Sequence, residues 1–417
     1  MGDDNSAASQ ARRRYLLIAL VFFGTVLSYV DRQVLALLKP TLEATFHWSD
    51  EDFAHLGSAF SLAMATSVLF SGWLVDRFGV RIAYGWAVAI WSLAGMAHAA
   101  AATVTQFVLA RVTLALGESV SGPATVKATA QYLPLRARSF GLGIITTAPS
   151  IGAIMTPLVI PPVAVLFGWQ SAFLLTGGLG VIWVFLWVVG TRHLRAPRAV
   201  SVAPAKAGVD WAALFSDRRT WAITGSKAMA DMVWWFLLFW IPDLFSKVFG
   251  LSQAQIGGPV ALTYAMAALG ALASGGLFPM FLRKGLSFNA ARKLSMLCFA
   301  VLILPLPLAL FMGSPWAAAA IIGVALFAHN GFVTNIFGVT ADIIPLQRVG
   351  TVTALSSVAG NLSGMGMIEF AGWSLTNGHG YWPMFAVASV AYLAATLFLH
   401  LVVPSIVPVH DMPGAAG

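Results

Sequence analysis

Apolar runs of roughly twenty residues recur along the whole chain, separated by short stretches rich in arginine, lysine, glycine and proline. Each run is long enough to cross a hydrocarbon core of about 30 Å as one helix. A lipid-embedded segment has no water to satisfy its peptide groups, so it closes its hydrogen bonds within itself. Of 417 residues, 59% are hydrophobic and only 10% are charged, whereas soluble domains carry about a quarter charged residues. The expected fold class is an all-α polytopic membrane protein.

Turn and charge punctuation predicts twelve transmembrane helices, near 15–38, 54–76, 80–101, 104–127, 139–161, 170–190, 220–246, 255–281, 291–311, 316–337, 349–373 and 382–403. The one long polar interruption begins at Thr191 and divides them six and six. The expected domains are an N-terminal six-helix bundle over 1–190, a cytoplasmic linker over 191–218, and a C-terminal six-helix bundle with a short cytoplasmic tail over 219–417.

Lysine and arginine in the loops set the expected orientation. With the N-terminus inside, residues such as Arg12, Arg77, Arg81, Arg136, Arg192, Arg218, Arg283, Arg292 and Arg348 all fall on the cytoplasmic side. The outer side receives only Lys39 and Lys247, and its first loop is acidic, with Glu43, Asp50, Glu51 and Asp52. Both termini are therefore expected in the cytoplasm. This asymmetry accounts for the net charge of +8 without a nucleic-acid partner. The lone cysteine, Cys298, excludes an intrachain disulfide and a Cys-built metal site. The first apolar run is too long for a cleaved signal peptide and is expected to remain as a helix.

Several ionisable residues fall inside predicted spans: Asp31, Arg32, Arg111, Glu118, Lys127, Lys227, Asp231 and Glu369. At mid-membrane each costs at least about 2.5–3.5 kcal/mol, so such groups face a watery cavity or one another. At 1.5 Å per residue, Asp31, Arg32 and Arg111 come to similar depth in the outer half. Asp31 and Arg111 are then expected to meet across helices one and four. Glu118 lies two turns beyond Arg111 on the same face, nearer the midplane. Lys227 and Asp231 stand four apart on helix seven, at pairing distance. Lys127 is expected to snorkel to the interface.

The stretch GWLVDRFGVR follows the second span. It resembles the G-x-x-x-D-R-x-G-x-R loop motif of the major facilitator superfamily, with Gly72, Asp76, Arg77, Gly79 and Arg81 in register. Gly72 is expected to permit close helix approach, and Asp76 to latch the inner end against a helix terminus or basic partner. GGLFPMFLRKG, residues 275–285, reads as a degraded echo in the second half. The resemblance implies the major facilitator fold: two pseudo-symmetric six-helix bundles around a midplane site.

Within that superfamily, SYVDRQ in helix one, RVTLALGE and GPATVKATAQYLP in helix four, and DMVWWFLLFWIP in helix seven resemble the anion:cation symporter family. AHNGFVTNIFGVTADIIP and GTVTALSSVAGNLSG extend the likeness to helices ten and eleven, most similar to the hexuronate and aldonate branch. Met232 and Pro149 depart from that branch's pattern. In helix five, APSIGAIMTP matches the superfamily's antiporter motif only imperfectly and leans toward symport.

The resemblance implies proton-coupled symport of an organic anion, a hexuronate or aldonate sugar acid, across a bacterial inner membrane by alternating access. The alternative is a monocarboxylate or other organic-anion uniporter or exchanger of the same fold. Arg32 and Arg111 are the expected carboxylate ligands, because a guanidinium forks onto a carboxylate. Asp31 and Glu118 are the expected proton carriers, since burial and a nearby arginine push a carboxyl in opposite directions. Against this stands a static Asp31–Arg111 pair that merely locks the bundle.

Tyr29, Asn330 and Asn361 are expected to hydrogen-bond sugar hydroxyls, and Trp234 or Trp235 to stack on a sugar face; adjacent positions cannot both face a cavity. Lys227 and Asp231 are read as a structural pair or a gating contact. Asn335 and His329 are read as packing residues. An enzyme is disfavoured by the lack of any nucleophile elbow, metal cluster or phosphate-binding glycine loop. No cofactor or metal is expected. The expected partners are the anion, protons and the lipid bilayer, and the chain is expected to be a monomer.

Overall fold

The computed structural model describes residues 2–133, 141, 143–192 and 211–408. Among them the regular structure is helical, and nine helices are long and apolar enough to cross a membrane. The first, α1, runs unbroken from Gly2 to Phe46. The second and third predicted spans form one long element, α2 (Asp50–Ala97), that reverses at Gly79. Gly79 has φ of 76°, open to glycine at little cost. That backbone requirement explains the glycine in the loop motif. Gly72 has nothing within 4 Å of where a Cβ would sit. It is therefore not the point of close approach that was expected.

The fourth span is divided into α3 (Val104–Glu118) and α4 (Ser121–Tyr132). Thr103 caps α3, its side chain accepting from the Gln106 N–H. Two further spans follow, α5 (Ala148–Phe167) and α6 (Trp169–Thr191). After a short helix at Trp211–Ser216 come α7 (Arg218–Lys247), α8 (Gly257–Arg283), α9 (Phe288–Leu302), α10 (Pro315–Ile343), α11 (Leu346–Thr376) and α12 (Trp382–Val402). Apolar runs thus become spans, and those broken or too polar for a continuous apolar window are α3–α4 and α11.

The chain packs as two compact units, residues 1–47 with 66–206, and residues 48–65 with 207–417. Of the linker expected over 191–218, residues 193–210 lie outside the described residues.

In the first unit α1 packs on α5, α6 and α4. Small residues allow the approach, as they must where lipid supplies no hydrophobic drive between helices. A Cβ on Gly152 of α5 would lie 2.8 Å from the Val26 carbonyl and 3.1 Å from Tyr29 Cβ. Trp183 and Trp187 of α6 stack at 4.9 Å, and their indole N–H groups donate to the Leu20 and Arg81 carbonyls.

In the second unit α7 packs on α11 and α12, and α8 on α10. Residues 48–65, the start of α2, lie against α7 and α11. Asp50 pairs with Lys247 at 2.5 Å, His55 with Glu369 at 3.0 Å, and Phe53 meets the Trp240 ring. Lys247 is therefore an ion-pair partner rather than a bare loop cation, and Glu369 gains a defined neighbour. Lys39 differs more: it is fully buried in α1 and paired with Glu43 one turn on. The helix continues past Pro40, so the expected outer loop begins later than Lys39.

Candidate functional site

Arg32 on α1 and Glu118 at the end of α3 form a direct ion pair, with Nε 2.6 Å from Oε2. Their side chains are 11% and 0% exposed. Arg32 had been expected beside Arg111, one level further out. The difference follows from helix geometry, because side chains tilt toward the N-terminus of their own helix. On α1 this tilt carries the guanidinium back down the helix to the level of Glu118. Tyr29, one turn earlier, places its ring 4.6 Å below the same guanidinium.

Asp31 takes the next seam round α1. Consecutive helical residues diverge by about 100°, so Asp31 and Arg32 leave α1 in different directions. Thr176 of α6 lies beside Asp31, its hydroxyl donating to the Phe173 carbonyl at 3.4 Å. The Asp31 Oδ1 would lie 3.8 Å from a Cβ on Gly95. Asp31 is 4% exposed, and that oxygen has no hydrogen bond among the described residues. The direct ion pair is Arg32–Glu118, while Asp31 and Arg111, expected to meet, stand within electrostatic reach of each other. Arg111 is buried, 1% exposed, within electrostatic reach of Glu118, Arg32 and Asp31. Two cations and two anions therefore share one dry region of the first unit, and their formal charges cancel.

Thr176 escapes a reading of charged residues alone. The signal that marks it is its place beside Gly177, where a Cβ would lie 2.6 Å from the Ser92 carbonyl and helices approach closely.

At the α2 reversal, Lys127 of α4 donates to Asp76 Oδ1 at 2.8 Å and to the Val75 carbonyl at 2.9 Å. Lys127 therefore holds the motif aspartate. Arg81 is half-buried and Arg77 exposed on the same turn. In the second unit the analogous end carries the opposite polarity: Arg292 of α9 bonds Asp342 of α10 at 2.7 Å, with its guanidinium 3.6 Å over Phe278.

Lys227 and Asp231 pair along α7 as expected, and the carboxylate rests against Gly360 of α11. Trp234 stacks on His329 at 5.0 Å, while Trp235 is buried against Phe60 and Phe239. His329 also meets the Tyr392 hydroxyl at 2.6 Å, which makes it a packing residue. Asn330 donates to the Ala267 carbonyl and Asn335 to Ser274 Oγ. Asn361 donates to the Ser357 carbonyl, and its Oδ1 keeps an unused acceptor.

Membrane-spanning helices that bury opposed charges in their packing are a feature of membrane transporters. The chain belongs to the Major Facilitator Superfamily, which its residues 21–368 match. Among curated proteins it is similar to the D-galactonate transporter of Escherichia coli O6:H1, 25% identical over 95% of this chain and 97% of that one. It is also similar to the hexuronate transporter of Escherichia coli K12, 27% identical over 93% of each chain. The galacturonate transporter of Dickeya chrysanthemi is 27% identical over 74% of this chain and 94% of its own. The fold resembles the crystal structure of a D-xylose–proton symporter, with a TM-score of 0.73, 15% identity, and coverage of 94% of this chain and 98% of that one. The chain is a multi-pass membrane transporter, not an enzyme.

Proposed function

We propose that this protein is a secondary active transporter that carries a sugar-acid anion, a hexuronate or aldonate, together with protons by alternating access. The observation that carries the reading is the buried Arg32–Glu118 pair, with Asp31 and Arg111 in the same region. The names of the relatives support the substrate class.

The coupling logic is electrostatic. Counted in their ionised forms the four buried groups sum to zero, so a substrate carboxylate entering alone would leave an uncompensated negative charge in a poorly solvated place, which is expensive. A proton arriving on Glu118 or Asp31 restores neutrality. Protonation of Glu118 also frees the Arg32 fork for the incoming carboxylate, to which it binds in the same charge-assisted manner. Anion and proton each make room for the other, which is the condition for symport rather than leak. Tyr29, Asn361, Asn330 and Trp234 are the proposed contacts to the sugar, with Trp235 buried in packing. The proposed setting is a bacterial inner membrane, with a monomer and both termini in the cytoplasm.

Proteoliposomes with an inward proton gradient test this reading. Labelled glucuronate or galactonate should accumulate above its outside concentration, and a protonophore should abolish the accumulation. Equilibration without accumulation would instead identify a uniporter or exchanger.

A further inference from the structure

An apolar groove of about 670 Å³ runs along the two arms of α2 within the first unit. Phe70 and Leu74 line it on one arm, Phe78 at the turn, Trp86 and Ile90 on the other arm. The third wall is Leu116, Gly117, Ser119 and Val120, where α3 gives way to α4 and Gly117 offers no side chain. Phe70, Phe78 and Trp86 are 64%, 50% and 68% exposed, so the groove opens outward from the helices into bilayer.

Its length is informative. Thr66 to Phe78 spans twelve helical steps, about 18 Å at 1.5 Å per residue. One leaflet of a bilayer core is about 15 Å deep. The volume lies inside the range of roughly 300–1,000 Å³ typical of ligand pockets. A single acyl chain therefore matches the groove in length and chemistry.

The charge at its mouth selects the headgroup. Phe78, the end of the groove, stands next to Arg77 on the α2 turn, and Ile82 next to Arg81. The one acid of that turn, Asp76, is already held by Lys127 at 2.8 Å. With Asp76 paired to Lys127, the exposed Arg77 leaves the turn net positive. We propose that this groove is a binding site for an anionic phospholipid, one acyl chain lying between the arms of α2 and its phosphate meeting Arg77 at the turn.

Native mass spectrometry of the full-length protein, delipidated and then titrated with dioleoyl phosphatidylglycerol or dioleoyl phosphatidylcholine, tests the site. The unaltered chain should hold the anionic lipid about fivefold more tightly, the gain one arginine brings at an anionic lipid surface. Arg77→Ala should remove most of that preference while leaving the zwitterionic lipid's retention unchanged. Ala83→Phe, which fills the groove, should weaken both lipids. Ile90→Trp at the far end serves the same purpose if the first filling variant melts early in detergent. Equal retention of the two lipids by the unaltered chain would overturn the proposal, as would a preference that survives Arg77→Ala. Retention of both lipids unchanged in the filling variants would overturn the placement of the acyl chain.

Discussion

Arg32 and Glu118 stand 86 residues apart in sequence and 2.6 Å apart in space, with Glu118 fully buried and Arg32 nearly so. A buried ion pair is poor evidence of net stability, because desolvating two charges consumes most of what their attraction returns. Its retention in the middle of a lipid-embedded bundle is better explained by use than by strength.

The first prediction concerns coupling. Glu118→Gln keeps a hydrogen-bonding partner near Arg32 but cannot exchange a proton. Gradient-driven accumulation of labelled sugar acid should be lost, while counterflow exchange across vesicles loaded with the same anion persists. Unimpaired accumulation would remove Glu118 from the coupling role.

Stability should separate the pair from its members. Arg32→Met leaves Glu118 buried without its partner and should cost about 3–5 kcal/mol. The double variant Arg32→Met/Glu118→Met removes both charges and should recover most of that loss, yet transport nothing. Melting temperatures in detergent, compared with anion binding by calorimetry, read the two effects apart.

Packing of α1 on α5 depends on one missing side chain. Gly152→Ala would place its Cβ 2.8 Å from the Val26 backbone carbonyl, an atom that cannot swing away. Such overpacking costs typically about 1–3 kcal/mol. Because Tyr29 Cβ is the next atom met, at 3.1 Å, substrate affinity should fall along with melting temperature. A variant with unchanged affinity would detach Tyr29 from the site.

Asp217 provides a pH test outside the membrane. It caps α7, accepting from the Arg219 N–H at 2.9 Å and from the Arg219 guanidinium. Burial opposes its ionisation, but these hydrogen bonds and the charge of Arg219 outweigh it and hold the carboxyl below its usual range. A depressed pKa stabilises the fold fully above the unfolded-state value, about 3.9, and that contribution fades as pH falls through the folded-state value. Asp217→Asn keeps a good cap but loses the charge. Its melting temperature should trail that of the unaltered chain at pH 7 and converge with it on acidification toward pH 3. A gap independent of pH would refute the ionic contribution.

Much of the architecture was legible in the sequence, since a segment that satisfies its peptide groups internally and matches the bilayer in length needs no partner to declare itself. The positions of α7 and α12 fall within two residues of the predicted spans. The reversal after the second span was legible too, because Gly79 and its basic neighbours form a local motif. The set of buried charges was equally visible, each being costly enough to stand out in an apolar run.

Which charge meets which was decided only by tertiary structure. Depth along a helix can be counted from sequence, and by that count Asp31, Arg32 and Arg111 were level. Rotation about the helix axis and the tilt of side chains toward the N-terminus could not be counted in the same way. They send Arg32 down to Glu118 and leave Asp31 beside Thr176, within reach of Arg111 but not in a direct pair with it. The lipid-facing groove has the same origin. Its residues are unremarkable apolar ones in sequence, and only the antiparallel arms of α2 beside the α3–α4 break give them a shape. Hydrophobicity and spacing are local properties and are written into the chain; azimuth and seam are set by packing among helices far apart in it.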